Sequence, residues 1–126
     1  MKSLSAQVRA TLLVVGLIIC SSMAWGADWK EFAEATTGIF LYDAASVHSP
    51  SKDFVRVWIN NRTKNESNLV EFNCKDKNYQ VLDVVQWDKA RQIKSRESYY
   101  DNPTPNWLKI SPKSVPESLS EILCRP

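Results

Sequence analysis

Asp53-Phe-Val-Arg-Val-Trp-Ile-Asn60 is the first of three apolar runs that follow one another in the middle of the sequence. The other two are Asn68-Leu-Val-Glu-Phe-Asn-Cys74 and Tyr79-Gln-Val-Leu-Asp-Val-Val-Gln-Trp87. Apolar residues at every second position are typical of a strand with two different sides. The linkers between the runs are short and rich in Asn, Lys and Asp, which favours antiparallel pairing. The stretch therefore predicts three antiparallel strands in a small sheet with one buried face.

The third run departs from this alternation. In a regular strand Val81, Asp83 and Val85 would point to one side, and Leu82 and Val84 to the other, so apolar residues fall on both sides. Either a β-bulge resets the register near Asp83 or both faces of this strand are covered. Both explanations favour a structural role for Asp83 over a catalytic one.

The flanking segments extend this sheet. Gly38–Asp43 is predicted to be a strand, and residues 27–35 are either one turn of helix or an edge strand. Residues 88–106 are expected to hold another strand followed by a proline-stiffened loop, and residues 107–111 a short last strand with Leu108 and Ile110 facing inward.

The C-terminus changes from the period of a strand to that of a helix. Ser114-Val-Pro-Glu117 is a capping box with proline in the first turn, which is typical of a helix start. A single apolar stripe follows, made of Val115, Leu119, Ile122 and Leu123. We expect an α+β fold in which this C-terminal helix packs on a single antiparallel sheet.

The N-terminus has the features of a signal peptide. Lys2 and Arg9 precede an apolar stretch from Ala10 to Cys20, and small residues follow it. Cleavage after Gly26 would leave one domain of residues 27–126, although cleavage after Ala24 or Ala27 also fits. Lipidation at Cys20 is disfavoured because bulky Ile19 precedes it. The mature chain has no second apolar run long enough to span a membrane, so we expect export to the periplasm or the outer cell surface, or secretion.

The composition excludes some classes of protein. With 126 residues, 44% of them hydrophobic and 24% charged, the sequence has room for one globular domain. The net charge is +2, and removing residues 1–26 takes away two cations, so the mature domain is neutral. A nucleic-acid partner is not expected, because its electrostatic footprint is missing.

Cys74 and Cys124 are the two cysteines of the mature domain. In an oxidising compartment an even pair favours one disulfide, which would tie the C-terminal helix to the sheet. A metal site is the alternative, but two cysteines and the lone His48 match none of the usual ligand spacings. His48 lies in a Ser/Pro loop with no nucleophile in a recognisable setting. We therefore predict no metal, no cofactor and no catalytic residue.

The mature chain resembles the surface-adhesin protein E family of small exported bacterial proteins in a set of residues and in their order. The set comprises Trp29, Tyr42-Asp43 with Val47, Val55-Arg56-Val57-Trp58, Leu69 to Cys74 with Tyr79, Trp107, Ser111-Pro112 with Ser114, and Cys124. The resemblance implies an antiparallel sheet with a disulfide-linked C-terminal helix. The best-known member of the family is an adhesin that binds host matrix and serum proteins. No motif allows ligand-binding residues to be carried over one by one.

The candidate protein-binding residues are Phe54, Arg56 and Trp58, which share one side of the first predicted strand. Aromatic residues and arginine are the types that carry binding hot spots. The alternative is that this side is covered and that Trp58 belongs to the core. The favoured function is a non-enzymatic binding module for a protein partner. An accessory envelope protein that assembles with itself, for example as a homodimer, or with an envelope partner is the second hypothesis, and a small secreted hydrolase is the third.

Overall fold

Seven antiparallel strands and one C-terminal helix make up the computed structural model, which describes residues 26–100 and 102–125. The signal-peptide prediction and Cys20 fall on residues outside this part. The strands are β1 (Trp29–Ala35), β2 (Gly38–Asp43), β3 (Phe54–Asn61), β4 (Glu66–Asn73), β5 (Asn78–Trp87), β6 (Ile93–Ser98) and β7 (Leu108–Lys109), and the helix is α1 (Val115–Leu123). The predicted α+β fold is confirmed.

The sheet is a meander in which β1 to β6 lie side by side in chain order. Short polar turns join these strands except β2 and β3, which residues 44–53 connect, and each strand pairs with the one before it. β5 is the longest strand and pairs with β6 along Asp83–Trp87 and with β7 at Asn78 and Tyr79. The N-terminal segment, for which the sequence left helix or strand open, is edge strand β1. A 3-10 turn at Ala44–Ser46 interrupts the loop that leads to β3.

A β-bulge in β5 accounts for the broken alternation of the third apolar run. Val70 of β4 pairs with Val81 and Leu69 pairs with Asp83, so that Leu82 is the extra residue. Val70 belongs to the core beneath the helix, and Leu69 therefore lies on the opposite face. The bulge moves Asp83 onto that opposite face as well. Of the two explanations that the sequence leaves open for this strand, the structure shows the bulge.

The core lies between the sheet and α1. Val57, Val70, Phe72 and Leu119 form its buried centre, and side chains of β1, β2 and β5 pack around them. Ser114 caps the helix as predicted, because its Oγ accepts a hydrogen bond from the backbone N–H of Glu117 at 3.2 Å. Leu119 is fully buried, whereas Ile122 is largely exposed, so the apolar stripe that meets the sheet is narrower than predicted.

The predicted disulfide between Cys74 and Cys124 is confirmed. Cys74 follows β4, and Cys124 is the residue that caps the C-terminal end of α1. Their Cα atoms are 5.5 Å apart, and the bond closes a loop with a sequence separation of 50. The C-terminal end of the helix is thus attached covalently to the end of a central strand.

The expectation of a sheet with only one buried face is wrong. Leu69 and Val85 are buried on the face opposite the helix, and so are the polar side chains of Ser67, Glu71 and Asp83. The Glu71 and Asp83 carboxylates each form an ion pair with an arginine. They are covered by arginine side chains that reach across the sheet from the neighbouring strands. The aliphatic stem of an arginine can cover apolar surface while its guanidinium, which here contacts the carboxylate, stays near water.

The last predicted strand is shorter than expected. β7 spans only two residues, because it pairs with β5 at the margin of the sheet. The strand ends at Lys109, so the alternation that placed Leu108 and Ile110 on one side does not continue. Ile110 packs against the core, but Leu108 is 41% exposed, and the inward orientation predicted for Leu108 is wrong.

Candidate binding surface on the face opposite the helix

Phe54, Arg56 and Trp58 occupy alternate positions of β3 on the face opposite α1, and all three are half-buried. Their orientation follows from the strand period, because Val57 between them points into the core. Sequence reasoning left open whether Trp58 is exposed or core. The structure places it between these extremes. Its backbone N–H donates to Ser46 Oγ at 3.0 Å, and its cross-strand neighbour is buried Leu69.

Arg56 is held in place by a row of side chains that crosses three strands. Its Nε donates to Glu71 Oε2 at 2.7 Å, and Gln80 Nε2 donates to Glu71 Oε1 at 3.0 Å. Register explains the row, since Arg56 pairs with Glu71 and Glu71 pairs with Gln80. The Glu71 carboxylate is buried, whereas 29% of the Arg56 side chain is exposed. A charge-assisted hydrogen bond to a buried acid fixes the guanidinium in one orientation at the surface.

Tyr100 is the aromatic partner of Arg56. The guanidinium carbon lies 5.8 Å from the centre of the tyrosine ring, within the range of a cation–π contact, and Tyr100 is 48% exposed. The segment after β6 brings the ring of Tyr100 near the guanidinium of Arg56, and three strands, β4, β5 and β6, separate the two residues along the chain. No periodicity in the sequence predicts such a contact.

Trp107 extends the surface beyond Phe54. Their ring centroids are 6.0 Å apart with an interplanar angle of 57°, a tilted arrangement favoured by the ring quadrupoles. We call the set of Phe54, Arg56, Trp58, Tyr100 and Trp107 the aromatic–arginine surface. Three of its members belong to β3, and the other two come from the polar, proline-containing stretch that follows β6.

A second arginine–carboxylate pair lies beside this surface. Arg96 of β6 contacts Asp83 through Nη2–Oδ2 at 2.7 Å and Nε–Oδ1 at 3.3 Å. The Asp83 side chain is only 1% exposed. The hydrogen bond from Arg96 to Asp83, together with the negative charge of Asp83, raises the pKa of Arg96 above its ordinary value. The role of Asp83 is therefore to hold β6 on the bulged strand, which agrees with the structural role expected from the sequence.

His48 meets β3 through its backbone. Its N–H donates to the carbonyl of Arg56 at 3.1 Å, and the N–H of Arg56 donates back to the carbonyl of His48 at 2.8 Å. The imidazole is exposed, with Nδ1 at 3.3 Å from the carbonyl oxygen of Ser46. Within residues 26–100 and 102–125, no group of three or more His, Cys, Asp or Glu side chains is placed to hold a metal ion. No helix in the same part of the chain is both long and apolar enough to cross a membrane.

An antiparallel meander with a disulfide-linked helix defines a small disulfide-stabilised α+β domain, whose half-exposed sheet face carries aromatic residues and arginine. The chain belongs to the surface-adhesin protein E family, since the family model matches residues 29–125. Comparison with curated proteins and with solved structures gave no match. Membership confirms the resemblance seen in the sequence and identifies an adhesin-like surface protein.

Proposed function

We propose that this protein is a non-enzymatic, protein-binding module of the bacterial envelope, and that it binds its partner through the aromatic–arginine surface. The observation that carries the proposal is the position of Arg56, which is hydrogen-bonded to buried Glu71 and lies within cation–π distance of exposed Tyr100. Family membership supports an adhesin-like role. The proposal includes export with cleavage after Gly26, so that the module consists of residues 27–126.

The energetic argument rests on pre-organisation. A free arginine loses about 2 kcal/mol of side-chain entropy when it is fixed in an interface. Arg56 has already lost much of that freedom in the unbound protein, because Glu71 and Tyr100 hold it from two sides. Aromatic side chains add large contact areas with few rotatable bonds. A partner that covers Tyr100 and Trp107 would desolvate the guanidinium and gain directed hydrogen bonds at little entropic cost.

Self-association is the second candidate, and a specific observation favours it. β6 is an edge strand of the sheet, and all six of its residues, Ile93–Ser98, are exposed. An exposed edge presents unpaired backbone groups to another strand. Sedimentation of residues 27–126 over a range of concentrations tests this candidate. A homodimer that dissociates when Lys94 or Ser95 is replaced by proline would support it.

The test of the main proposal compares variants for binding to a partner captured by immobilised residues 27–126. Arg56→Ala and Tyr100→Ala should each weaken binding by about 1 to 3 kcal/mol, which is roughly 5- to 150-fold. Arg125→Ala and Tyr99→Ala are matched controls of the same residue types. Arg125 lies after the helix, and Tyr99 lines a cleft on the helix side of the sheet with Val81 and Val84.

Equal losses in the variants and their controls would refute binding through this surface. The non-enzymatic part of the proposal is tested separately. His48→Ala should leave binding unchanged, and turnover of a peptide, glycan or ester substrate that disappears in this variant would overturn it. Each variant must first show the circular dichroism spectrum of the parent, because Arg56 also contributes to the row across β3, β4 and β5.

A further inference from the structure

A second concave site lies at the other end of the face that carries the aromatic–arginine surface. It is a cleft of about 570 Å³, within the size range of small-molecule sites. Two tryptophans, two arginines and two asparagines contribute to its wall: Trp29, Trp87, Arg62, Arg91, Asn60 and Asn65. We propose that this cleft binds a sugar that carries a carboxylate, such as a sialic acid or uronic acid residue of a glycan.

The floor of the cleft is built around one buried hydroxyl. Ser67 Oγ accepts a hydrogen bond from Asn60 Nδ2 at 3.0 Å and another from Trp87 Nε1 at 3.3 Å. The Trp87 indole thereby has its only polar group occupied and offers the cleft an apolar surface. Asn60 keeps its carbonyl oxygen and a second N–H hydrogen for a ligand, because the described residues satisfy only one of its donors. Amides in fixed orientations are well suited to recognising sugar hydroxyls.

Hydrogen bonds fix the two turns that contribute to the wall. The N–H of Trp87 donates to the carbonyl of Asn65 at 2.9 Å, which ties the β3–β4 turn to the end of β5. In the β5–β6 turn, Asp88 Oδ1 accepts from the N–H groups of Ala90 and Gln92, both at 2.9 Å. The Asp88 carboxylate therefore serves as the cap of its own turn. Asn65 and Arg91 both have positive φ, at 51° and 60°, as such tight turns require.

The charge of the cleft indicates an anionic group on the ligand. Arg62 and Arg91 are exposed side chains, and neither forms an ion pair with a residue of the described part of the chain. Asp88 is the single acid in the wall. Arginine presents a planar fork of donors that matches the geometry of a carboxylate. Two arginines and one acid that is already hydrogen-bonded leave the cleft with a surplus of positive charge.

The remaining groups distinguish a sugar from other anions. A phosphate site is typically made by the N–H groups of a helix N-terminus or a glycine-rich loop, and neither element lines this cleft. Trp29 is 43% exposed, and with Trp87 it provides indole surface. The face of an indole is electron-rich and attracts the polarised C–H groups on the apolar side of a pyranose ring. Indole faces, fixed amides and free arginines together match a carboxylated sugar, and the inference does not depend on the aromatic–arginine surface.

The test uses two probe pairs on residues 27–126, with binding followed by NMR chemical shifts of the tryptophan side chains. 3′-Sialyllactose is compared with lactose, and a hyaluronan tetrasaccharide with a chitin tetrasaccharide. We expect one acidic probe to bind at least about tenfold more tightly than its neutral counterpart, and the pair that shows the difference identifies the sugar. Arg62→Ala and Arg91→Ala should each remove most of that difference, whereas Trp29→Ala should weaken binding without changing the preference.

Arg125→Ala is the control, because it removes an arginine outside the cleft, and Arg56→Ala distinguishes the cleft from the aromatic–arginine surface. Equal binding of acidic and neutral probes, failure of both acidic probes to bind at millimolar concentration, or equal losses in Arg56→Ala and Arg62→Ala would each overturn the proposal. Loss of binding in Arg56→Ala alone would also overturn it, and would assign the sugar to the aromatic–arginine surface. Arg62 and Arg91 are exposed side chains in turns, so their variants are expected to fold.

Discussion

Removal of the Cys74–Cys124 disulfide should lower the stability of this domain by an amount that can be worked out from the chain. The bond closes a loop with a sequence separation of 50. For a loop of that length the chain-entropy model gives a ceiling of about 4 kcal/mol at 25 °C. A domain of about 100 residues has a total stability on the order of 5 to 15 kcal/mol. The bond is therefore expected to supply a large share of the stability.

The variant to measure is Cys74→Ser with Cys124→Ser, because removing both thiols avoids mispaired products. We expect a loss of about 2 to 4 kcal/mol in the free energy of unfolding. With an m-value of about 1 to 3 kcal/mol/M, the midpoint in urea should fall by roughly 0.7 to 4 M. Tryptophan fluorescence and far-UV circular dichroism should report the same transition. Unchanged midpoints would refute the reasoning, because they would show that the loop is already closed by packing alone.

A second substitution shows whether the helix stays docked without the bond. Leu119 is fully buried against Val57, Val70 and Phe72, so Leu119→Ala should cost about 2 to 5 kcal/mol in the oxidised parent. If α1 remains on the sheet after the cysteines are removed, the same substitution should cost a similar amount there. A nine-residue helix is too short to persist in water without tertiary contacts. A much smaller cost in the cysteine-free protein would therefore mean that the helix has left the sheet.

Three further substitutions test other parts of the fold. Gly38→Ala should lower the free energy of unfolding, measured in urea, by about 1 to 3 kcal/mol. Gly38 has a φ of 149°, and an added Cβ would lie 2.2 Å from Asn61 Oδ1. A stability equal to that of the parent would contradict this. Arg96→Ala should lower the melting temperature, because it leaves buried Asp83 without its partner. Adding Asp83→Asn should restore part of the loss. A double variant less stable than Arg96→Ala would contradict the pairing of these two residues. Ser114→Ala should cost about 1 kcal/mol in a urea titration through loss of the helix cap, and no change would mean that the Glu117 N–H finds another acceptor.

The features that follow from local pattern were predictable from the sequence. Strand period predicts that Phe54, Arg56 and Trp58 share one side of β3, and the Ser-x-x-Glu spacing predicts the start of α1. The broken alternation near Asp83 indicates either a bulge or cover on both faces, and the structure shows the bulge. The pairing of Cys74 with Cys124 followed from the cysteine count and the expected compartment. Each of these inferences depends on neighbouring residues, on simple counting, or on chemistry with few alternatives.

The features that were missed depend on side chains brought together from distant parts of the chain. The burial of Glu71 and Asp83 requires arginines from adjacent strands, and the aromatic partner of Arg56 comes from the segment after β6. The predicted inward orientation of Leu108 is wrong because it assumes an alternation that continues past the end of β7, which has only two residues. From the sequence alone, a polar residue in a strand is expected to be exposed. Its burial could be predicted only if its partner on the adjacent strand were known, and the complete fold determines that partner.

The bulge in β5 connects the two surfaces of this protein. Tyr79 and Val81 pack toward the helix, and an unbroken strand would place Asp83, Val85 and Trp87 on that same side. The extra residue at Leu82 reverses this order, so that Asp83 can hold Arg96 and Trp87 can reach the hydroxyl of Ser67. The ion pair beside the aromatic–arginine surface and the floor of the cleft thus depend on the same one-residue insertion. The extra residue therefore decides which face of the sheet carries the side chains of the second half of β5.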